Sequence, residues 1–148
     1  MHNEPEHELR TPTSLGDWQA YHCIRRKVLF ENRGQFDVYD ENHPDEYREG
    51  NHPFLLVCNG EPIGVIRVDI NGTRAFFRRV AIREDLQRSG HGRVLLALAE
   101  SFAREEGCNH IRSEVARDAV GFYERCGYTS VQSAPMTGTS ISMQKNLK

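Results

Sequence analysis

The 148-residue chain has no apolar run approaching the roughly 20 residues that span a bilayer, so no membrane helix is expected. Met1 to Arg10 is polar and acidic and lacks the apolar stretch of a secretion signal. Charge of one sign is missing too: the net formal charge is −2, without the basic excess that general nucleic-acid binding requires. Cysteine is scarce and scattered. Cys23, Cys58, Cys108 and Cys126 show no paired metal spacing, which reads as reduced thiols in a cytoplasmic protein. A zinc site using His43, His52 or a cysteine is the lesser alternative, and no metal is expected. Repeats, low-complexity tracts and linkers are absent. Residues 1–148 therefore read as one domain, long enough to bury roughly 70% of its unfolded surface.

What is present is well punctuated. His7 to Thr11 predicts a short strand. Thr13 or Ser14 can cap a helix in which Leu15, Trp18, Tyr21, Ile24 and Val28 recur at helical spacing. Gly34 to Gly50 is polar and irregular, with a short helix around Asp45 to Arg48. Phe54 to Cys58, Ile63 to Ile70 and Ala75 to Arg83 predict three antiparallel strands, joined by hairpins at Asn59-Gly60 and Asn71-Gly72. The period then changes: Leu95, Leu98, Ala99 and Phe102 share one helical face, and Gly107 marks the stop. His110 to Val115 reads as a strand, Asp118 to Cys126 as a short helix, and Tyr128 to Gln132 with Ser140 to Lys145 as a last hairpin. The β-α-β unit from Ala75 to Val115 should place its two strands side by side and parallel. An exposed edge of the last hairpin could pair two subunits in a homodimer.

Between strand and long helix lies Gln87-Arg88-Ser89-Gly90-His91-Gly92-Arg93. Glycines let a backbone approach a ligand closely, and a helix N-terminus offers unpaired N–H groups and about half a positive charge. The segment therefore reads as a phosphate or pyrophosphate site, with Arg88 and Arg93 adding charge. It is not a P-loop, because no Gly-x-x-x-x-Gly-Lys-Ser/Thr string occurs. A dinucleotide fingerprint would need glycine where Leu95 stands.

The loop instead resembles the Gln/Arg-x-x-Gly-x-Gly/Ala motif of the GNAT N-acetyltransferase superfamily. Ala119-Val120-Gly121-Phe122-Tyr123-Glu124-Arg125-Cys126-Gly127-Tyr128 is similar to that family's second signature, Ala-x-x-Phe/Leu-Tyr-Glu-x-x-Gly-Phe/Tyr. The Arg25 to Glu31 run, Arg-x-x-Val-x-Phe-Glu, looks like one small bacterial subgroup. The resemblance implies an α/β (α+β) GNAT acyl-CoA N-acyltransferase fold, a central mixed, mostly antiparallel sheet flanked by helices. It implies acetyl-CoA as acyl donor and no metal. The strand Arg79-Val80-Ala81-Ile82-Arg83 would hold the pantetheine arm through backbone groups of Val80 and Ile82. Gln87 opens the motif, and Arg88, Ser89, Gly90, His91, Gly92 and Arg93 would surround the pyrophosphate. Phe122 would pack against the cofactor or the core. Tyr123 would protonate the thiolate leaving group or donate a hydrogen bond to it; a phenol with pKa about 10 keeps its proton at neutral pH. One departure is Ala116, where many members carry Asn; neighbouring Arg117 is the candidate replacement.

Acetyl transfer needs a neutral amine. With pKa about 10.4, roughly 0.1% is neutral at pH 7.4, equivalent to a barrier of about 4 kcal/mol. Glu114, at the end of its strand near the cleft, is the first choice of base; Glu31, His43, Asp45 and His52 are the others. The acidic stretch Asp37, Asp40, Glu41, Asp45, Glu46 and Glu49 reads either as a negative rim attracting a cationic amine or as a solvated loop. Arg25 and Arg26 could bind an acceptor carboxylate or merely decorate the first helix. The expected acceptor is a small-molecule amine, polyamine-like cations included, with a protein or peptide amine second. The rival reading is a non-catalytic acyl-CoA-binding sensor of the same fold.

Overall fold

A computed structural model describes residues 5–131 and 140–147, with Tyr47 described by its backbone alone. Seven strands form one sheet in the order β1-β2-β3-β4-β5-β7-β6. They are β1 His7–Arg10, β2 Asn51–Cys58, β3 Glu61–Asn71, β4 Arg74–Ile82, β5 His110–Ala116, β6 Thr129–Ser130 and β7 Ser140–Asn146. The helices are α1 Leu15–Arg25, α2 His91–Glu105 and α3 Val120–Arg125. The predicted fold class therefore holds: a mixed, mostly antiparallel sheet flanked by helices. Both Asn-Gly hairpins form, and β4 and β5 run parallel. Gln132, assigned to the last hairpin, lies outside the described residues.

Both faces of the middle of the sheet are buried, which is why 54–57 of β2 and 63–66 of β3 read as short runs without alternating polar residues. Phe54, Leu56, Ile66 and Val68 join Leu95, Leu96, Ala99 and Ala103 of α2 in the larger core. Leu55, Val57, Val65 and Ala81 turn to the other side, where Tyr21 and Ile24 of α1 cover them. Each fully buried leucine here contributes about 1.5–3 kcal/mol. Ser14 caps α1, its hydroxyl accepting from the Asp17 N–H at 3.0 Å. The helical pattern through Val28 is not one helix: after Arg25 the chain widens into a π-turn, Arg26–Phe30, and then a 3₁₀ turn, Glu31–Arg33. The short helix near Asp45 is a 3₁₀ turn, Pro44–Tyr47.

The parallel ladder between β4 and β5 is short. It starts at Arg74↔His110 and ends at Phe77↔Ser113. Beyond it, Ala81 and Ile82 pair only toward β3, and Glu114, Val115 and Ala116 only toward β7. The cause sits in β4. Its register against β3 slips between Val65 and Arg67, and Arg79 takes φ 57°. A bulge bends its strand and increases its twist. Here it turns β4 away from β5 and opens a gap inside the sheet.

Candidate active site

The first wall of the gap is the end of β4 and the loop that follows. Gln87 Nε2 donates to the Ile82 carbonyl at 2.9 Å, folding the loop back onto the strand. Arg83 is pinned by Glu61 at 2.6 Å and Asp85 at 2.7 Å, so its charge is spent locally. Arg88 and Gly90 adopt φ 65° and 87°, and Gly90 stands at the N-cap of α2. No side chain caps this helix, and its first turn holds no acidic residue. Its N-terminus is thus left electropositive, flanked by exposed Arg88 and Arg93. Ser89 is exposed beside them.

The two glycines serve different ends. A side chain at Gly90 would meet open space, so conformation alone selects glycine there. A Cβ at Gly92 would lie 3.0 Å from the Phe122 ring. Gly92 thus lets α3 press its aromatic ring onto the first turn of α2, joining the two sequence signatures by contact. Gly121 has no such reason, since a Cβ there would meet only Arg125 Nη1, at 3.4 Å.

Tyr123 stands at the vertex of the gap. It is buried, edge-on to Phe122 and Tyr128 with ring centroids at 5.5 and 5.3 Å. Burial pushes its phenol up to about 12, partly opposed by a hydrogen bond with the Ser113 side chain. Ser113 Oγ in turn donates to the Phe77 carbonyl at 3.0 Å, and Phe77 and Ser113 are the last rung of the ladder. A phenol that keeps its proton therefore sits where the two strands part.

On the α1 side lies a cleft of about 700 Å³ lined by residues of both signs: Arg25, Arg48, Arg67, Arg78 and Arg79 against Asp40, Asp45, Glu46, Asp69 and Glu114. Arg25 is buried, its Nη1 2.8 Å from Glu46, and Arg67 approaches the same carboxylate at 3.6 Å while gripping Asp69 at 2.7 Å. Arg78 shares Asp69 at 2.9 Å. Arg79 makes no ion pair among the described residues; it lies over the Phe30 ring at 5.3 Å. Desolvation, with Arg25 and Arg67 nearby, lowers its pKa.

Half of the acidic stretch is neutralised, while Asp37, Asp40 and Glu49 are exposed and make no ion pair among the described residues. Glu46 is buried among arginines, Glu41 pairs with Arg26 at 2.9 Å, and Asp45 with Arg48 at 3.0 Å. Of the five base candidates, Glu114, His43 and Asp45 line the cleft. Glu114 is exposed and accepts from the Ser142 hydroxyl. Glu31 does not line the cleft, and His52 packs edge-on against Phe102 on the α2 side. Ala116 precedes the 3₁₀ turn of Arg117–Ala119, with Arg117 exposed. The sequence reading passed over Arg67, Asp69, Tyr39 and Ser113. Arg67 and Asp69, two apart in an otherwise apolar strand, were the available signal: one face of β3 had to meet something polar.

Comparison with known proteins agrees with this geometry. Residues 18–128 match the model of the Acetyltransferase (GNAT) family. A candidate acetyltransferase of Bacillus subtilis (strain 168) is 29% identical over 121 residues, 78% of this chain and 79% of that protein. Among solved structures, a candidate N-acetyltransferase from Lactobacillus plantarum superposes with TM-score 0.80 at 25% identity, covering 99% of this chain and 100% of that one. The PaiA N-acetyltransferase of Thermoplasma acidophilum, solved in complex with coenzyme A, shares the fold with TM-score 0.73 at 18% identity, over 95% of this chain and 99% of that one.

Proposed function

Because the chain belongs to the acetyltransferase (GNAT) family, we propose that it moves the acetyl group of acetyl-CoA to a primary amine by direct attack within a ternary complex. The observation that carries this reading is the gap between β4 and β5, with an uncapped helix N-terminus at its mouth and a protonated phenol at its vertex. The pyrophosphate sits against the N–H groups from Ser89 to Arg93, and Arg88 and Arg93 add charge. The pantetheine arm runs along Val80, Ala81 and Ile82 as an added strand. The amine nitrogen attacks the thioester carbon, whose oxygen is polarised by the Val80 or Ile82 N–H. The C–S bond breaks, and the thiolate takes its proton from Tyr123. The amine proton passes to Glu114, directly or through water. Positioning alone can contribute about 7–11 kcal/mol. One sheet running from β1 to β6 supports reading 1–148 as a single domain. Four free cysteines support a cytoplasmic location, and no helix among the described residues is long and apolar enough to cross a membrane.

Arg79 refines the acceptor. A cation without a carboxylate partner among the described residues, lining the same cleft as Glu114, suits an amine that also carries an acidic group better than a pure polyamine. An acceptor screen that follows release of the CoA thiol tests the whole reading. Acceptor-dependent release is expected, strongest with such bifunctional amines. Tight acetyl-CoA binding with no turnover on any amine would identify a sensor instead.

Two variants test the parts. Glu114→Gln is expected to lower kcat/KM about tenfold at pH 7 and less at pH 9, where more of the amine is already neutral. An equal loss at both pH values would remove the base assignment. Gly92→Ala is expected to weaken acetyl-CoA binding about tenfold by calorimetry, because the new methyl drives Phe122 off the first turn of α2. Phe122→Leu in the same chain should recover part of the loss; no recovery would mean that the methyl acts on the ligand directly.

A further inference from the structure

We propose that His7, Cys58 and His91 form a binding site for a borderline divalent transition-metal ion, zinc above all, on the side of the sheet that α2 covers. His7 and Cys58 face one another across the antiparallel β1–β2 pair, so their side chains share one face of the sheet. His91, the first residue of α2, comes down onto that face. One donor atom from each residue lies within 4.8 Å of the other two. Around a tetrahedral zinc, metal–nitrogen bonds of about 2.0–2.1 Å and a metal–sulfur bond of about 2.3 Å set donors roughly 3.3–3.6 Å apart. Side-chain adjustments suffice to reach that arrangement.

His7 Nε2 and His91 Nδ1 are 2.9 Å apart, closer than two nitrogens on one metal, and hold a single hydrogen between them. Two imidazole nitrogens in contact on one face of the sheet already stand almost at the separation one ion would give them. When the ion enters, the donating imidazole moves its hydrogen to its other nitrogen and the Cys58 thiol loses its proton, so one proton is released per ion. Two imidazoles and a thiolate select zinc-like ions over magnesium or calcium. All three residues are half-buried, which leaves an entry path and a fourth position for water. Among the described residues no other such cluster occurs. The site would fasten β1 and the end of β2 to the helix whose first turn borders the gap.

Cobalt(II) titration of the metal-free full chain tests this. One equivalent should bind with visible bands of tetrahedral intensity and a near-ultraviolet thiolate-to-cobalt charge-transfer band, and zinc should displace it. Cys58→Ser should abolish the charge-transfer band, and His91→Gln should weaken binding at least about tenfold, both with unchanged circular dichroism. The proposal is overturned by the weak spectrum of hydrated cobalt with no saturation. It is equally overturned by a charge-transfer band that survives Cys58→Ser, which would put the ion at another cysteine. Should Cys58→Ser fail to fold, Cys58→Ala takes its place, with the same loss of the charge-transfer band expected and the same survival of the band overturning the proposal.

Discussion

Tyr123→Phe is expected to lower kcat about a hundredfold while leaving acetyl-CoA affinity unchanged. The substitution removes one oxygen. The ring keeps its edge-on contacts with Phe122 and Tyr128, so packing is preserved. What disappears is the proton at the vertex of the gap, and general-acid contributions typically run from about 10² to 10⁴. The pH dependence adds a second test. Burial raises the phenol to about 12, so it stays protonated through pH 10, where an ordinary tyrosine is half ionised. The rate should therefore show no alkaline loss through this group below that range. The sign for stability follows from the same shift: the folded pKa lies above the unfolded one, so stability linked to Tyr123 is intact below about pH 10 and declines toward 12. Stopped-flow or steady-state rates for Tyr123→Phe decide the role. An unchanged kcat assigns the proton to another donor.

Glu46→Ala is expected to destabilise the fold by about 3–5 kcal/mol, lowering Tm by about 10 °C. Glu46 sits on the 3₁₀ turn of Pro44–Tyr47 and reaches between α1 and β3 to Arg25 and Arg67. All three are buried. Truncating the carboxylate leaves Arg25 buried without its counter-charge and Arg67 with Asp69 alone. Glu41→Ala is the control, because Glu41 and Arg26 are exposed and such pairs contribute at most about 1 kcal/mol. Urea unfolding of both variants gives the comparison. Equal midpoints would mean that water replaces the buried carboxylate.

Much of this fold is legible in local sequence. Asn59-Gly60 and Asn71-Gly72 fix two hairpins through their turn chemistry, and Gly107, at φ 89°, ends α2 where the apolar period ends. Local chemistry of this kind survives folding because nothing distant overrides it. The gap was not legible. Arginine at position 79 says nothing of a φ of 57°, since a bulge is fixed by the pairing of three strands rather than by one residue. Arg25 was equally opaque. Its neighbours allow an acceptor-binding or a decorative role, and only the return of the chain at Glu46, twenty-one residues on, makes it a buried ion. Gly92 was read for ligand approach, yet its tightest steric demand comes from Phe122, a partner thirty positions away.

The bulge at Arg79 has one more consequence. Open strand rims usually lie at the outside of a sheet, where any passing chain can zip onto them and aggregation begins. Here two such rims face each other within the fold, at β4 past Phe77 and β5 past Ser113. Each rim belongs to a strand paired on its other side, β4 to β3 and β5 to β7, so a slender molecule bearing spaced amides, as proposed for the cofactor arm, would find backbone groups on both sides of it. Under that proposal, what the rims recognise is spacing along a backbone rather than any side chain.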